Sequence, residues 1–228
     1  MQLLEDRKQA GLLLAQKLQH HHPELFATGA NQGIWVLALP RGGVPVAHEI
    51  AQALQAPLEV CLVRKLGTPG NRELAMGAIG LGGAQVLNTS VIESHGISSE
   101  AIAQITATEE QELHRRDRLY RGNHPWPSLK NQTLILVDDG VATGSTLYAA
   151  LTLLKPQHPK RIIIAVPVLP VVVYRELQRE VDDLVYLETP EPFYCISPWY
   201  EDFHQLSDRE VCALLQSHPD QNTPNQKT

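Results

Sequence analysis

Two adjacent acids, Asp138 and Asp139, follow an apolar run at 134–137 and precede a loop of small and hydroxyl residues. The run has the length and composition of a buried parallel strand, and the pattern at 147–155 is typical of a helix. Ligands of open α/β sheets bind at the carboxyl ends of strands. The first turn of a helix offers unpaired N–H groups that suit a phosphate, and carboxylates suit sugar hydroxyls or a hard cation that neutralises the ligand. The pattern therefore predicts a site for a phosphate-bearing ligand.

The loop supplies further hydrogen-bond donors and room for an anion. Thr143, Ser145 and Thr146 carry hydroxyls, and Gly144 lets the backbone approach an anion closely. A Walker A loop does not fit, because Gly140 and Gly144 are one residue too close and Ser145 stands in place of the lysine. A hydrolase nucleophile elbow does not fit either, since Ser145 lacks the flanking glycines. The remaining alternative is an ordinary strand-to-helix turn with a polar cap.

Residues 134–146 resemble the PRPP-binding motif of type I phosphoribosyltransferases, in which an apolar strand, two acids and a T-G-x-T-like loop follow one another. PRPP is ribose 5-phosphate with a pyrophosphate leaving group on its anomeric carbon. The resemblance implies displacement of that pyrophosphate by a nucleobase-like acceptor, with Mg²⁺ held by PRPP and waters and the two acids as candidate ligands. Asp138 and Asp139 would contact the ribose hydroxyls. The loop residues that would hold the 5-phosphate are Ala142, Thr143, Gly144, Ser145 and Thr146.

A second segment, Pro40-Arg41-Gly42-Gly43, follows an apolar run at 34–39 and precedes a helical pattern at 44–54. Taken alone, it is compatible with a plain turn. It resembles the pyrophosphate loop of the same family and stands upstream of the PRPP-like motif in the expected order. The resemblance implies that Arg41, Gly42 and Gly43 bind pyrophosphate, with the arginine adding a charge-assisted bond.

A third segment, 64–77, contains glycines and a proline that predict a long loop after a strand at 60–63. The family has a mobile loop here that closes over the site and brings cations to the pyrophosphate. By resemblance, Arg64 and Lys65 are pyrophosphate-binding candidates, and Arg72 and Glu73 are catalytic candidates, the latter as a general base. The alternative is a solvated hairpin whose charges are incidental.

The acceptor is the least defined part of the site. Ala142 stands where 6-oxopurine salvage members of the family have an aspartate, which disfavours that mode of base recognition. Five of the 12 aromatic residues fall within 188–205, which we interpret as a hood over the acceptor or as a satellite hydrophobic cluster. The candidate acceptor contacts are Trp199, Tyr200 and Asp202. The motifs P-R-G-G, R-K-L-G and W-Y-E-D-F also resemble a bacterial branch of the family for which the resemblance supplies no acceptor.

Net charge, cysteine spacing and hydropathy limit the partners and the cellular compartment that we expect. The 228 residues carry a net charge of −6, which argues against sequence-independent binding of nucleic acid, since that rests on neutralising many phosphates. Three widely spaced cysteines fit a reducing compartment. The first residues lack the features of a signal peptide, and the apolar run at 162–173 is too short to span a bilayer. We therefore expect a cytoplasmic protein that binds neither nucleic acid nor membrane.

The resemblance implies an α/β fold with a flavodoxin-like parallel sheet flanked by helices. We expect one domain at 1–218, a hood at about 188–205, a disordered tail at 219–228, and a homodimer. The predicted elements include helices at about 3–18, 98–121 and 207–216, and strands at 76–79, 84–87, 162–168 and 184–187.

The implied activity is that of a Mg²⁺-dependent phosphoribosyltransferase, a glycosyltransferase of nucleotide metabolism. Two other classes stay open: a non-catalytic regulator that senses PRPP or nucleotides, and a nucleotide hydrolase on the same sheet. We expect Asp139→Asn to abolish turnover of PRPP while leaving the fold nearly intact, because the acid stands at a solvent-accessible strand end.

Overall fold

The computed structural model describes residues 3–27, 33–122 and 124–218, without the side chains of Arg72 and Glu73. The tail predicted at 219–228 lies outside the described residues. The chain divides into two compact units. The first comprises Met1–Val60, Leu129–Thr143 and Pro159–Thr228, and the second comprises Cys61–Ser128 and Gly144–His158.

The strands and helices are numbered in chain order. The strands are β1 (Ile34–Ala38), β2 (Leu58–Val60), β3 (Val63–Thr68), β4 (Asn71–Gly80), β5 (Gln85–Leu87), β6 (Thr133–Val137), β7 (Arg161–Val168) and β8 (Asp183–Glu188). The α-helices are α1 (Arg7–His21), α2 (Gly43–Leu54), α3 (Thr89–Ser94), α4 (Ser99–Arg121), α5 (Ser145–Leu154), α6 (Val171–Leu177) and α7 (Asp208–Ser217). Over residues 3–27, 33–122 and 124–218, no helix combines the length and the hydropathy needed to cross a bilayer.

The first unit is built on a parallel sheet with the strand order β2-β1-β6-β7-β8. Counted along the unit alone, the order is 2-1-3-4-5, which is flavodoxin-like, so the predicted fold class is confirmed. Every residue of β6 is buried, as is all of β7 after its first residue, and this burial explains why both strands are continuous apolar runs in the sequence. Ala38 pairs with Val137, so the carboxyl ends of β1 and β6 lie side by side. The strand order reverses at this pair, which is where such sheets bind ligands.

Two helices of the first unit begin at clear caps. Asp6 caps α1 by accepting a hydrogen bond of 2.7 Å from the backbone N–H of Gln9, so the helix begins and ends about one turn later than the sequence pattern suggests. The predicted last helix is confirmed: Ser207 and Glu210 form a capping box at the start of α7, with each side chain bonded to the backbone of the other.

The second unit contains an antiparallel sheet in the order β3-β4-β5. The prediction of a long loop at 64–77 is wrong, because β3 and β4 form a hairpin. The hairpin turns at Gly70, whose φ is 79°. Leu66 and Thr68 are buried on one strand, and Met76 and Ala78 are buried on the other. This alternation is the normal pattern of a strand with one covered face, and the glycines and proline around the turn conceal it in the sequence.

Helices cover this small sheet. Ala149 and Leu153 of α5 pack with Ala78 of β4 in one hydrophobic cluster. Gly80 makes room for this packing, since a Cβ there would lie 2.7 Å from a methyl carbon of Leu153. The predicted long helix ending at Arg121 is confirmed, with Ser98 as the N-cap of α4.

The aromatic segment at 188–205 belongs to the first unit. Leu4 and Tyr200 form an isolated parallel bridge and pack with Ala10 in a buried cluster. The partly buried residues packed against this cluster are Leu187, Ile196, Trp199 and Phe203. Part of the segment therefore packs in a hydrophobic cluster, and the hood over the acceptor stays a prediction.

Candidate active site

Asp138 and Asp139 lie directly after β6, at the edge of the sheet where β1 also ends. Asp138 is half-buried, whereas Asp139 is only 8% exposed. The backbone N–H of Asp139 donates a 2.9 Å hydrogen bond to Oδ1 of Asp138. Burial, and then the nearby charge of Asp139, raises the pKa of Asp138 well above its ordinary value of 3.8. The ionised form of Asp138 is therefore destabilised, and a bound cation or a hydroxyl-rich ligand would stabilise it.

Asp139 is held by an arginine that the sequence analysis did not identify. Nε of Arg7 donates to Oδ2 of Asp139 at 2.7 Å, and Nη1 donates to the backbone carbonyl of His204 at 3.0 Å. The guanidinium carbon lies 3.9 Å from the centroid of the Phe203 ring. The expectation that Asp139 is solvent-accessible is wrong, and with it the reason for expecting Asp139→Asn to leave the fold intact.

The position of Arg7 on α1 was the signal that could have found it. The arginine falls on the apolar stripe of the helix, whose buried members are Arg7, Ala10, Gly11, Leu14, Ala15 and Leu18. These residues follow the i, i+3, i+4, i+7 spacing of a buried helix face. A cation on such a face needs a buried partner, and a carboxylate at a strand end is the natural one.

Tyr200 holds the same aspartate from another side. Its hydroxyl donates a 2.7 Å hydrogen bond to the backbone carbonyl of Asp139, and the side chain is 5% exposed. Burial raises the pKa of Tyr200, and the charge of Asp139 adds to the rise, so the phenol stays a donor. This placement makes Tyr200 part of the support beneath the acids, whereas the sequence had suggested it as an acceptor contact.

The P-R-G-G turn packs directly against the acids. A Cβ added to Gly42 would lie 1.9 Å from Oδ2 of Asp139, and one added to Gly43 would lie 2.6 Å from the carbonyl oxygen of Val137. The peptide bond between Pro40 and Arg41 is cis. Arg41 is partly exposed, with Nη1 4.0 Å from Oδ1 of Asp208. The two segments that the sequence assigned to pyrophosphate and ribose therefore come together, and glycine is required where they touch.

The loop after the acids runs out of the first unit and into the second between Thr143 and Gly144. Ala142, Thr143 and Thr146 are exposed. Gly144 has a φ of 75° and caps α5, and its carbonyl accepts the N–H of Tyr148 at 2.9 Å. Only glycine adopts this left-handed backbone readily. The predicted strand, loop and helix order is thus confirmed.

The two cationic residues of β3, Arg64 and Lys65, lie on opposite faces of the strand. Nε of Arg64 donates to Oε2 of Glu109 on α4 at 2.7 Å. Lys65, the next residue, lines a cavity of about 540 Å³ together with Ser145 and Tyr148. Successive strand residues point to opposite faces. Lys65 therefore faces the cavity that Ser145 also lines, whereas Arg64 faces α4 and pairs with Glu109. The side chains of the catalytic candidates Arg72 and Glu73 lie outside the described residues.

Comparison with known proteins points to the same segments of the chain. The family model of the phosphoribosyl transferase domain matches residues 9–191, a span that contains the acids, the loop after them, the P-R-G-G turn and the hairpin of β3 and β4. The chain belongs to this family.

Relatives with known names or structures agree with the assignment. The provisionally named phosphoribosyl transferases MT0597 and Rv0571c, from two strains of Mycobacterium tuberculosis, are each 39% identical over 215 residues. The alignment covers 94% of this chain and 47% of each relative, so the chain spans about half the length of these proteins. The crystal structure of TT1426 from Thermus thermophilus is 36% identical, with a TM-score of 0.82 over 95% of this chain and 99% of that one.

A more distant likeness shows the fold alone. The structure of AQ2163 from Aquifex aeolicus aligns with a TM-score of 0.51 and 10% identity, over 83% of this chain and 77% of that one. The two chains therefore share a fold, and an identity of 10% does not show that they share a substrate.

Trp199, one of the acceptor candidates, lines an open volume. It borders a cavity of about 490 Å³ together with Val168 and Leu187, which stand near the carboxyl ends of β7 and β8. Its Nε1 donates to the carbonyl of Cys195 at 3.0 Å, and its ring stacks on Phe193 with centroids 6.2 Å apart. The third candidate, Asp202, is exposed and accepts a 3.0 Å bond from the ring of His204.

The donor set fits a hard cation that a phosphate ligand brings with it. Among the residues that the structure describes, no group of three or more His, Cys, Asp and Glu side chains could hold a metal ion by itself. The two carboxylates at the end of β6 offer oxygen ligands, which suit Mg²⁺. Such a site would need oxygens from phosphates and waters to complete it, and the half-buried carboxylate of Asp138 would be the one to share the ion.

Proposed function

We propose that this phosphoribosyl transferase moves the ribose 5-phosphate group of PRPP to a nucleobase-like acceptor and releases pyrophosphate, in a Mg²⁺-dependent reaction. One observation carries the proposal: the two acids stand at the end of β6 against the P-R-G-G turn that follows β1. This is the crevice in which a flavodoxin-like sheet binds its ligand.

We assign the ribose to the two acids. Asp138 is half-buried and offers its carboxylate to the ribose hydroxyls. Asp139 offers Oδ1, because Nε of Arg7 lies on Oδ2. The residues assigned to the 5-phosphate are Ala142, Thr143, Gly144, Ser145 and Thr146, whose hydroxyls and amides are the donors that a phosphate requires.

We assign the leaving pyrophosphate to Arg41, Gly42, Gly43 and Lys65. The N–H of Gly42 would be the backbone donor, because the N–H of Gly43 already donates to the carbonyl of Leu39 at 3.0 Å. Arg64 can take part only by leaving Glu109, to which it is bonded at 2.7 Å. In the reaction, the bond between the anomeric carbon and the pyrophosphate oxygen breaks, and a bond from an acceptor nitrogen forms. The charge that develops on the leaving oxygens is what these donors stabilise.

The acceptor nitrogen loses a proton as it bonds to the sugar, and we assign Glu73 as the candidate base that takes it. Arg72 is the catalytic candidate that would bring positive charge to the pyrophosphate. Bound Mg²⁺ would neutralise pyrophosphate charge. Trp199 is the candidate that stacks on the acceptor, since it already lies parallel to Phe193 beside an open volume. Ala142 offers no acid for a base nitrogen, so we expect an acceptor other than a 6-oxopurine bound in that manner.

The test is release of pyrophosphate from PRPP with Mg²⁺ across a panel of purines, pyrimidines and small amines. Asp138→Asn is the active-site variant, because it removes charge without breaking the ion pair between Arg7 and Asp139. Glu110→Gln, at an exposed acid of α4, is the matched control. Release that depends on one acceptor and is lost only in Asp138→Asn would support the proposal. PRPP binding without release across the panel would favour the sensor, and absence of PRPP binding would refute both.

A further inference from the structure

A charged residue occupies a buried position on a helix face that is otherwise apolar. Arg7 lies on the buried stripe of α1 and is 8% exposed. Buried ion pairs can often be replaced by apolar residues of similar volume with no loss of stability, or with a gain, since desolvation offsets the attraction between the charges. Stability therefore does not by itself account for the presence of the pair, and the contacts of Arg7 indicate what else the pair does.

The contacts of Arg7 converge on one carboxylate and the segment behind it. Nε bonds to Oδ2 of Asp139, and Nη1 bonds to the carbonyl of His204, so two donors of one rigid plane are fixed. The ring of Phe203 covers the guanidinium face at 3.9 Å. Tyr200 then bonds to the backbone of the same aspartate at 2.7 Å. Arg7 thus holds the side chain of Asp139 and Tyr200 holds its main chain, while Phe203 and His204 hold Arg7.

The orientation of Asp139 is the feature that this arrangement fixes. Asp139 stands two positions after the last residue of β6, where an unsupported carboxylate could rotate between rotamers. Gly42 also packs against the carboxylate and leaves just enough space for it, since a Cβ there would overlap Oδ2 at 1.9 Å. With Oδ2 pinned by Arg7 and the turn against it, Oδ1 has one direction available.

We propose that Arg7 is a positioning residue of the ribose site: it fixes Asp139 so that one carboxylate oxygen is presented to a ribose hydroxyl. The inference rests on the proposed function, because the ribose is the group that Asp139 would receive. Arg7 itself does not touch PRPP in this arrangement. It raises affinity for PRPP by removing the freedom that Asp139 would otherwise lose on binding.

Lysine is not an adequate substitute in this position. A guanidinium directs Nε and Nη1 from one plane and stacks on an aromatic ring, whereas an ammonium is a point charge on a flexible stem. Arg7→Lys should retain the charge but lose the second bond and the stacking. Arg7→Gln should lose the charge as well, so we expect a larger loss of PRPP affinity in Arg7→Gln than in Arg7→Lys.

The experiment is isothermal titration of PRPP with Mg²⁺ into wild type, Arg7→Lys, Arg7→Gln, Asp139→Asn and the Arg7→Gln/Asp139→Asn double variant. It is run well below each melting temperature, with melting curves recorded in parallel. Arg116→Gln is the matched control, because Arg116 pairs with Glu112 on the partly exposed face of α4, at 2.7 Å. We expect Kd to rise about tenfold in Arg7→Gln, which equals about 1.4 kcal/mol, and about threefold in Arg7→Lys.

The double variant separates positioning from support of the fold. If Arg7 acts through Asp139, then Arg7→Gln adds less than about twofold to the Kd of Asp139→Asn. A lower melting temperature with an unchanged Kd would overturn the inference and leave the proposed function standing. If wild type does not bind PRPP, both fail. Should Arg7→Gln not fold, the Kd of Arg7→Lys decides: a value equal to that of wild type refutes positioning.

Discussion

Asp139→Asn tests how firmly the ribose site is tied to the fold. The side chains of Arg7 and Asp139 are 9% and 12% exposed, so solvent screens their interaction only slightly. Removing one partner of a buried pair costs about 3–5 kcal/mol, because the other charge stays buried and uncompensated. Asparagine keeps an acceptor oxygen, which favours the lower end, at about 3 kcal/mol. For a protein of this size, that loss lowers the melting temperature by about 6–12 °C.

The assay is urea and thermal unfolding of wild type and Asp139→Asn, followed by circular dichroism. Arg7→Met/Asp139→Leu replaces the whole pair with apolar side chains and should recover most of the lost stability. Glu110→Gln, on the exposed face of α4, should stay within about 0.5 kcal/mol of wild type. Unfolding free energies of wild type and Asp139→Asn that agree within about 0.5 kcal/mol would refute the role given to the pair.

Three further predictions concern the same cluster. Gly42→Ala should cost at least about 2 kcal/mol, since its methyl displaces the Asp139 carboxylate; the cost should shrink in an Asp139→Ala background, and an equal cost in both would contradict the overlap. Tyr200→Phe should cost about 1–3 kcal/mol in chemical unfolding by leaving the Asp139 carbonyl unpaired, and no change would argue against the bond. The pKa of Asp138 is raised in the folded state, so its ionisation opposes folding as pH rises above 3.8. Asp138→Asn should therefore melt near wild type at low pH and above it at about pH 8, and a pH-independent difference would count against this.

Local chemistry made much of the fold and the acid motif predictable. The strand, the acids and the following loop are contiguous at 134–146, so their order in the sequence is their order in space. The capping box at Ser207 and the cap at Ser98 are equally local, because each side chain bonds to a backbone group three residues away. Such signals depend on a few neighbouring residues and survive without knowledge of the tertiary structure.

The features that were missed depend on distant partners or on concealed periodicity. Arg7 and Asp139 are 132 residues apart, and only the helical register of α1 reveals that the arginine faces inward. The hairpin of β3 and β4 was hidden by the glycines around Pro69, which predict a loop although the flanking strands alternate correctly. The separation of Arg64 from Lys65 follows from the same hairpin, since neighbouring residues of a strand point to opposite faces.

The most direct test of the PRPP site is the melting temperature of wild type and Asp138→Asn with Mg²⁺, with and without PRPP. A ligand at about 100 times its Kd adds about 2.7 kcal/mol to the stability of the folded state, which corresponds to a rise of about 5–10 °C here. The predicted result is that rise in wild type and its loss in Asp138→Asn. No rise in wild type, or the same rise in both proteins, would contradict the assignment of the acids to a PRPP site.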